Sequence, residues 1–152
     1  MSRLDDGGDD ARLRRVSRVV SFYEHLCEAD LPRLGELYAA DAHFKDPFND
    51  VRGVSAIRAI FEHMFRQVHA PRFVFHLALA QGDAALLTWT MHYRRSARAT
   101  QESAIRGSTE LRFDADGLVA LHRDYWDAAE ELYEGVPLLG AVLRAIKRRL
   151  RA

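Results

Sequence analysis

The chain has 152 residues, 48% hydrophobic and 29% charged, with 22 basic residues balanced by 22 acidic ones. A single domain of this length buries about 70% of its unfolded surface, enough to enclose a cavity, and the absence of net charge supplies no field for nucleic acid or an anionic membrane. One cysteine, Cys27, rules out an internal disulfide and any paired-cysteine metal or redox motif, so its expected place is the core.

The opening MSRLDDGGDD has no apolar run suited to a signal peptide, and no stretch approaches the roughly 18 apolar residues of a membrane span. A cytoplasmic protein is expected. Residues 1–9 read as a disordered polar tail, 10–136 as the domain and 137–152 as a separate C-terminal helix. Leu13, Val16, Val19, Val20, Tyr23, Leu26 and Cys27 recur at helical steps and predict a helix ending near Ala29. Asp30 is then an N-cap candidate for a second helix carrying Leu31, Leu34, Leu37 and Tyr38, with Pro32 in its first turn. HFKDPF (43–48) alternates like a short strand, and Val54 to Val68 gives a third amphipathic helix.

Beyond Pro71 the period changes to two, and four strand-like runs follow: RFVFHLALA, DAALLTWTMHYRRSA, QESAIRGSTELRFD and GLVALHRDYWD. Helical pieces AAEELYEG and PLLGAVLRAIKRRLRA close the chain. This order predicts an α+β domain, a curved antiparallel sheet wrapped over helices with a pocket at one open end. Strand parity assigns Leu87, Trp89, Met91 and Tyr93 to the inside, with Thr109, Leu111 and Phe113 beside them. For the last strand parity leaves two sets open, His122, Asp124 and Trp126 against Leu121, Arg123, Tyr125 and Asp127.

The stretch VVSFYEHLCEADLPRLGELYAADAHFKDPF (19–48), with the later RG, and the ending LRFDADGLVALHRDYWD carry a resemblance. Their order and spacing are similar to the ketosteroid isomerase and polyketide cyclase (SnoaL-like) families, within the cone-shaped superfamily that includes nuclear transport factor 2. The resemblance implies a cone fold, a homodimer through the outer sheet face, and Asp46 at the catalytic-base position with Lys45 turned to solvent. It also turns His122, Asp124 and Trp126 inward. His122 and Asp124, about 7 Å apart on one face, then form an imidazole–carboxylate pair suited to acid/base work near neutral pH. Phe22 falls at the position of the isomerase oxyanion-hole tyrosine, Tyr23 is one residue and about 100° off, and Thr109 takes the position of the acid. His122 or Thr109 is left to hold an enolate.

Arg123 beside Asp124 suggests the Asp-Arg-Asp set of the superfamily's epoxide hydrolases, but parity puts Arg123 outside. A metal on Asp46, His122 and Asp124 lacks a further histidine, and neither a nucleotide loop nor zinc spacing occurs. The expected function is a cofactor-independent isomerase, dehydratase or cyclase acting on a hydrophobic carbonyl or polycyclic molecule. Asp46, His122 and Asp124 are its candidate catalytic residues, with Phe22, Tyr23, Trp89, Met91, Thr109, Leu111 and Trp126 around the substrate. The alternatives are a non-catalytic carrier of an apolar ligand, or docking to a membrane surface or partner through the basic amphipathic C-terminal helix.

Overall fold

The structure, a computed structural model, describes residues 6–128 and 139–150. Helix α1 (Asp6–Glu24) leads into a 3-10 helix (Glu28–Glu36), strands β1 (Tyr38–Lys45) and β2 (Asp50–Arg52), and helix α2 (Val54–Gln67). Four long strands follow, β3 (His69–Gln81), β4 (Ala84–Arg94), β5 (Ser103–Phe113) and β6 (Val119–Trp126), and then α3 (Leu139–Leu150). The sheet order is β2-β1-β6-β5-β4-β3, antiparallel throughout except for the β1–β6 pair. It curls without closing, and α1, the 3-10 helix and α2 fill its concave side. Among the described residues no helix is long and apolar enough to cross a membrane.

Val16, Val19, Tyr23 and Leu26 bury the inner face of the first helix and its exit against Leu31, Leu34, Leu87 and Val119, each large side chain contributing about 1.5–3 kcal/mol. Several features differ from the sequence expectation. Helix α1 already includes Asp6–Asp9, part of the stretch read as a tail, and it stops at Glu24. Cys27 then turns to extended geometry (φ −127°, ψ 168°) and caps the next helix, so it is exposed instead of buried. Asp30 acts from inside that helix, accepting the Cys27 N–H at 3.0 Å and its thiol at 3.1 Å.

The second helix is 3-10 and short because Pro32 has no N–H to donate and Gly35 disfavours helix. Tyr38, expected in the second helix, instead opens β1. Its backbone takes up parallel pairing with β6, and Val119 donates to the Leu37 carbonyl at 2.9 Å. A bulge in β3 has a larger effect. Phe73 and Phe75 pair with Met91 and Trp89 on the inner face, but one extra residue at His76 brings Leu77 opposite Thr88 and Leu79 opposite Leu86. The bulge inverts the parity of the strand, leaving Leu77 and Leu79 exposed on the outer face beside Leu86 and Tyr125. The piece AAEELYEG lies, past Ala128, outside the described residues.

Candidate active site

The inner face of β6 carries the site. Cross-strand register places Asp124 opposite Thr109, His122 opposite Leu111 and Trp126 opposite Gly107, while Thr109 and Gly107 sit opposite Leu87 and Trp89 on β4. Gly107 is required there: a Cβ would come within 2.5 Å of the Trp89 six-membered ring. The indole therefore lies across the glycine, and its N–H reaches Thr109 Oγ1 at 2.8 Å.

That bond fixes the direction of a hydrogen-bond chain. An indole N–H can only donate, so the Thr109 oxygen accepts and its own proton goes to Asp124 Oδ1 at 2.5 Å. The same Oδ1 lies 2.9 Å from His122 Nε2, which donates to it. In the neutral imidazole His122 Nδ1 is then the acceptor, taking the Tyr38 hydroxyl at 2.7 Å, and Tyr38 in turn takes the Tyr23 hydroxyl. His122 is thus held in its Nε2–H form by partners from β1 and β6. Burial, the largest influence, holds both phenols well above the ordinary tyrosine range, and the Asp124 charge adds to it for each. The pair stays protonated and keeps donating toward the imidazole.

Two cavities meet at Asp124. A small one of about 30 Å³ lies behind it, bordered by Tyr23, Trp89, Thr109 and His122. A large one of about 600 Å³ opens in front, between α2 and the concave sheet, a size in the ordinary range for small-molecule sites. Its wall is mostly apolar: Phe44, Ile60, Phe61, Met64, Met91, Ile105 and Trp126. The Asp124 side chain is 17% exposed against 6% for His122. Among the described residues Asp124 Oδ2 accepts no hydrogen bond. The carboxylate therefore has one oxygen anchored by Thr109 and His122 and the other without a partner among the described residues, on a side chain that borders both cavities.

Asp46 also lines the large cavity, but its oxygens are engaged. Oδ1 accepts the backbone N–H groups of Phe48 (2.8 Å) and Asn49 (2.7 Å), and the Asn49 side-chain amide lies 3.0 Å from Oδ1 and 2.9 Å from Oδ2. It organises the turn between β1 and β2. Lys45 turns outward as expected and, with His43, clasps Asp50.

The remaining expected site residues divide clearly. Met91, Trp89 and Trp126 line the large cavity, and Tyr23 and Thr109 the small one. Leu111 lines neither, because it is fully buried. Phe22 also lines neither and packs edge-on against Tyr23. Tyr23, expected among the substrate-lining residues but one residue off the oxyanion-hole position, points inward. The α1 face that buries Val16 and Val19 continues into it. His122 and Thr109 are not free to hold an enolate, since both protons go to Asp124. Tyr93 and Trp126 also line the cavity, and among the described residues neither their hydroxyl nor their indole N–H has a hydrogen-bond partner. Arg123 is outside, over the Tyr125 ring. Among the described residues no three His, Cys, Asp or Glu side chains are grouped to hold a metal ion.

Tyr38 was missed as a site residue, although its position at the end of an apolar helical run marked it as buried. Arg95 was missed although it continues the inner parity of Trp89, Met91 and Tyr93.

A curled, unclosed sheet with helices in its concavity and a cavity at its open end defines the cone-shaped fold of nuclear transport factor 2-like proteins. The chain belongs to the SnoaL-like domain family, which matches residues 19–122. Solved structures agree on the fold. A Jannaschia sp. CCS1 protein assigned as a SnoaL-like polyketide cyclase superposes with a TM-score of 0.68 at 14% identity, covering 86% of this chain and 93% of its own. An LEH-like epoxide hydrolase of M. tuberculosis gives 0.65 at 20% identity, with coverage of 90% and 98%. A Catenulispora acidiphila DSM 44928 protein of ketosteroid isomerase-like fold, in complex with trimethylamine, gives 0.65 at 17%, with coverage of 75% and 88%. No curated protein matches the sequence.

Proposed function

We propose that this protein is a cofactor-independent acid/base enzyme, an isomerase, dehydratase or cyclase, acting on an apolar carbonyl compound held in the large cavity. The observation that carries this reading is the split environment of Asp124, with Oδ1 anchored by Thr109 and His122 and Oδ2 without a partner among the described residues, on a side chain that lines the large apolar cavity. Asp124 Oδ2 would take the proton from a carbon next to the substrate carbonyl, and the C–H electron pair would pass into the enolate. Water-poor surroundings strengthen the interaction of a carboxylate with such a proton. The available donors of Trp126 and Tyr93 suit the developing oxyanion, and the protonated Asp124 gives its proton to another carbon of the same molecule in an isomerisation, or to the departing hydroxyl, which leaves as water, in a dehydration. His122 is a positioning residue in this scheme, and Asp46 a structural one.

The test is deuterium uptake, followed by NMR, into cyclic ketones, enones and polycyclic ketones in deuterated water, with Asp124→Asn as the control. Enzyme-dependent uptake lost in the variant supports the reading. Ligand binding without exchange for any ketone would instead favour a carrier. We also propose a homodimer through the outer sheet face, where exposed Leu77, Leu79, Leu86 and Tyr125 form an apolar patch that a second copy would cover.

A further inference from the structure

The fixed charges around the large cavity are unevenly spread. Asp124 and Asp46 are its carboxylates, and Arg95 is its guanidinium. Arg95 follows the end of β4 and is exposed, and among the described residues it has no ion-pair partner. A guanidinium at a cavity wall offers up to five N–H donors in a planar fork, matched to a carboxylate. Tyr93, two residues before it on the same inner parity, adds a hydroxyl whose proton has no partner among the described residues.

Asp124 and Arg95 are not neighbours along the sheet. Trp89 reaches Thr109, the partner of Asp124, and Arg95 lies six residues beyond Trp89, at most about 20 Å away at the rise of an extended strand. The wall between them is apolar, with Met91, Ile105 and Trp126. An acidic group near Asp124 would meet like charge, whereas at Arg95 it meets a cation, so these two groups orient an elongated acid one way.

We propose that the ligand of this cavity is an elongated carboxylic acid with an apolar body, its carboxylate bound by Arg95 with help from Tyr93 and its reacting end under Asp124. This names the substrate class and rests on the reading of the cavity as a small-molecule site. It makes Arg95 a specificity-determining residue.

The test uses a matched pair of probes, 4-(biphenyl-4-yl)butanoic acid and its carboxamide, which differ only in the charge of the head group. Trp89 and Trp126 are the two tryptophans of the chain and both line the cavity, so fluorescence quenching reports binding directly. The full-length protein should bind the acid about five- to tenfold more tightly than the amide at low salt, with the preference shrinking as salt is added. Arg95→Gln should lose the preference by weakening the acid more than the amide, and Arg95→Lys should restore part of it. Equal binding of acid and amide by the wild type, or an acid preference that survives Arg95→Gln, overturns the role of Arg95 while leaving the cavity a ligand site. Failure of both probes to quench the wild type overturns this proposal and the small-molecule reading beneath it.

Discussion

Gly107→Ala is a one-methyl change whose effect can be worked from the cavity wall. The added Cβ would lie 2.5 and 2.6 Å from two carbons of the Trp89 six-membered ring, so the indole must move. It is buried among Tyr23, Phe73 and Thr109, and overfilling such a site costs about 1–3 kcal/mol. Moving the indole also breaks its bond to Thr109, a further loss of about 1 kcal/mol. The expected destabilisation is therefore about 2–4 kcal/mol in urea unfolding. Near-UV circular dichroism and tryptophan emission should change as the indole reorients. Trp89→Phe, whose ring is shorter, should lower the cost of Gly107→Ala by about 1 kcal/mol or more in a double-mutant cycle. A variant as stable as the wild type with an unaltered tryptophan spectrum would refute the reasoning.

Four further outcomes follow from the structure. Tyr38→Phe should cost more than Tyr23→Phe, about 1–3 against about 0.5–1.5 kcal/mol. Losing the Tyr38 hydroxyl leaves buried His122 Nδ1 without its donor, whereas losing that of Tyr23 leaves the Tyr38–His122 bond intact. Both phenols are raised above their unfolded value, so their stabilisation is fully present below about pH 10 and is lost as the pH climbs toward their folded values. In an alkaline titration at 295 nm neither should ionise before the protein unfolds. Asp50 behaves in the opposite sense: Lys45 and His43 lower it to about 2, so its contribution is present above the unfolded value near 4 and disappears as the pH falls through about 2. NMR titration of Asp50 should show this midpoint, and Lys45→Ala should raise it. Leu79→Glu on the outer face should convert the proposed dimer to monomer by light scattering, and an unchanged dimer mass would place the interface elsewhere.

Parity was enough to identify the inner wall on β4 and β5, because there one set is predominantly apolar and the other carries most of the polar and charged residues. It failed on β6, where each set mixes aromatic and charged residues, and only the family resemblance turned His122, Asp124 and Trp126 inward. The exchange of prominence between Asp46 and Asp124 was not legible. It depends on which carboxylate oxygens the folded backbone occupies: Asn49 and Phe48 engage Asp46, while Asp124 is engaged on one oxygen alone. Tyr38 could not be assigned from its helical spacing because pairing with Val119 of β6, distant along the chain, overrides local preference. The β3 bulge is equally hidden, since an extra residue at His76 inverts the strand without any glycine or proline to mark it.

The most direct measurement sets the two carboxylates against each other. On any ketone whose exchange the wild type catalyses, Asp124→Asn and Asp46→Asn would be compared by the rate of deuterium uptake. Removal of a general base costs about 10²–10⁴-fold, so Asp124→Asn should lose at least a hundredfold. Asp46→Asn, which keeps an acceptor oxygen for the turn, should stay within a few-fold of wild type. The reverse order, with Asp46→Asn inactive and Asp124→Asn still turning over, would contradict the account.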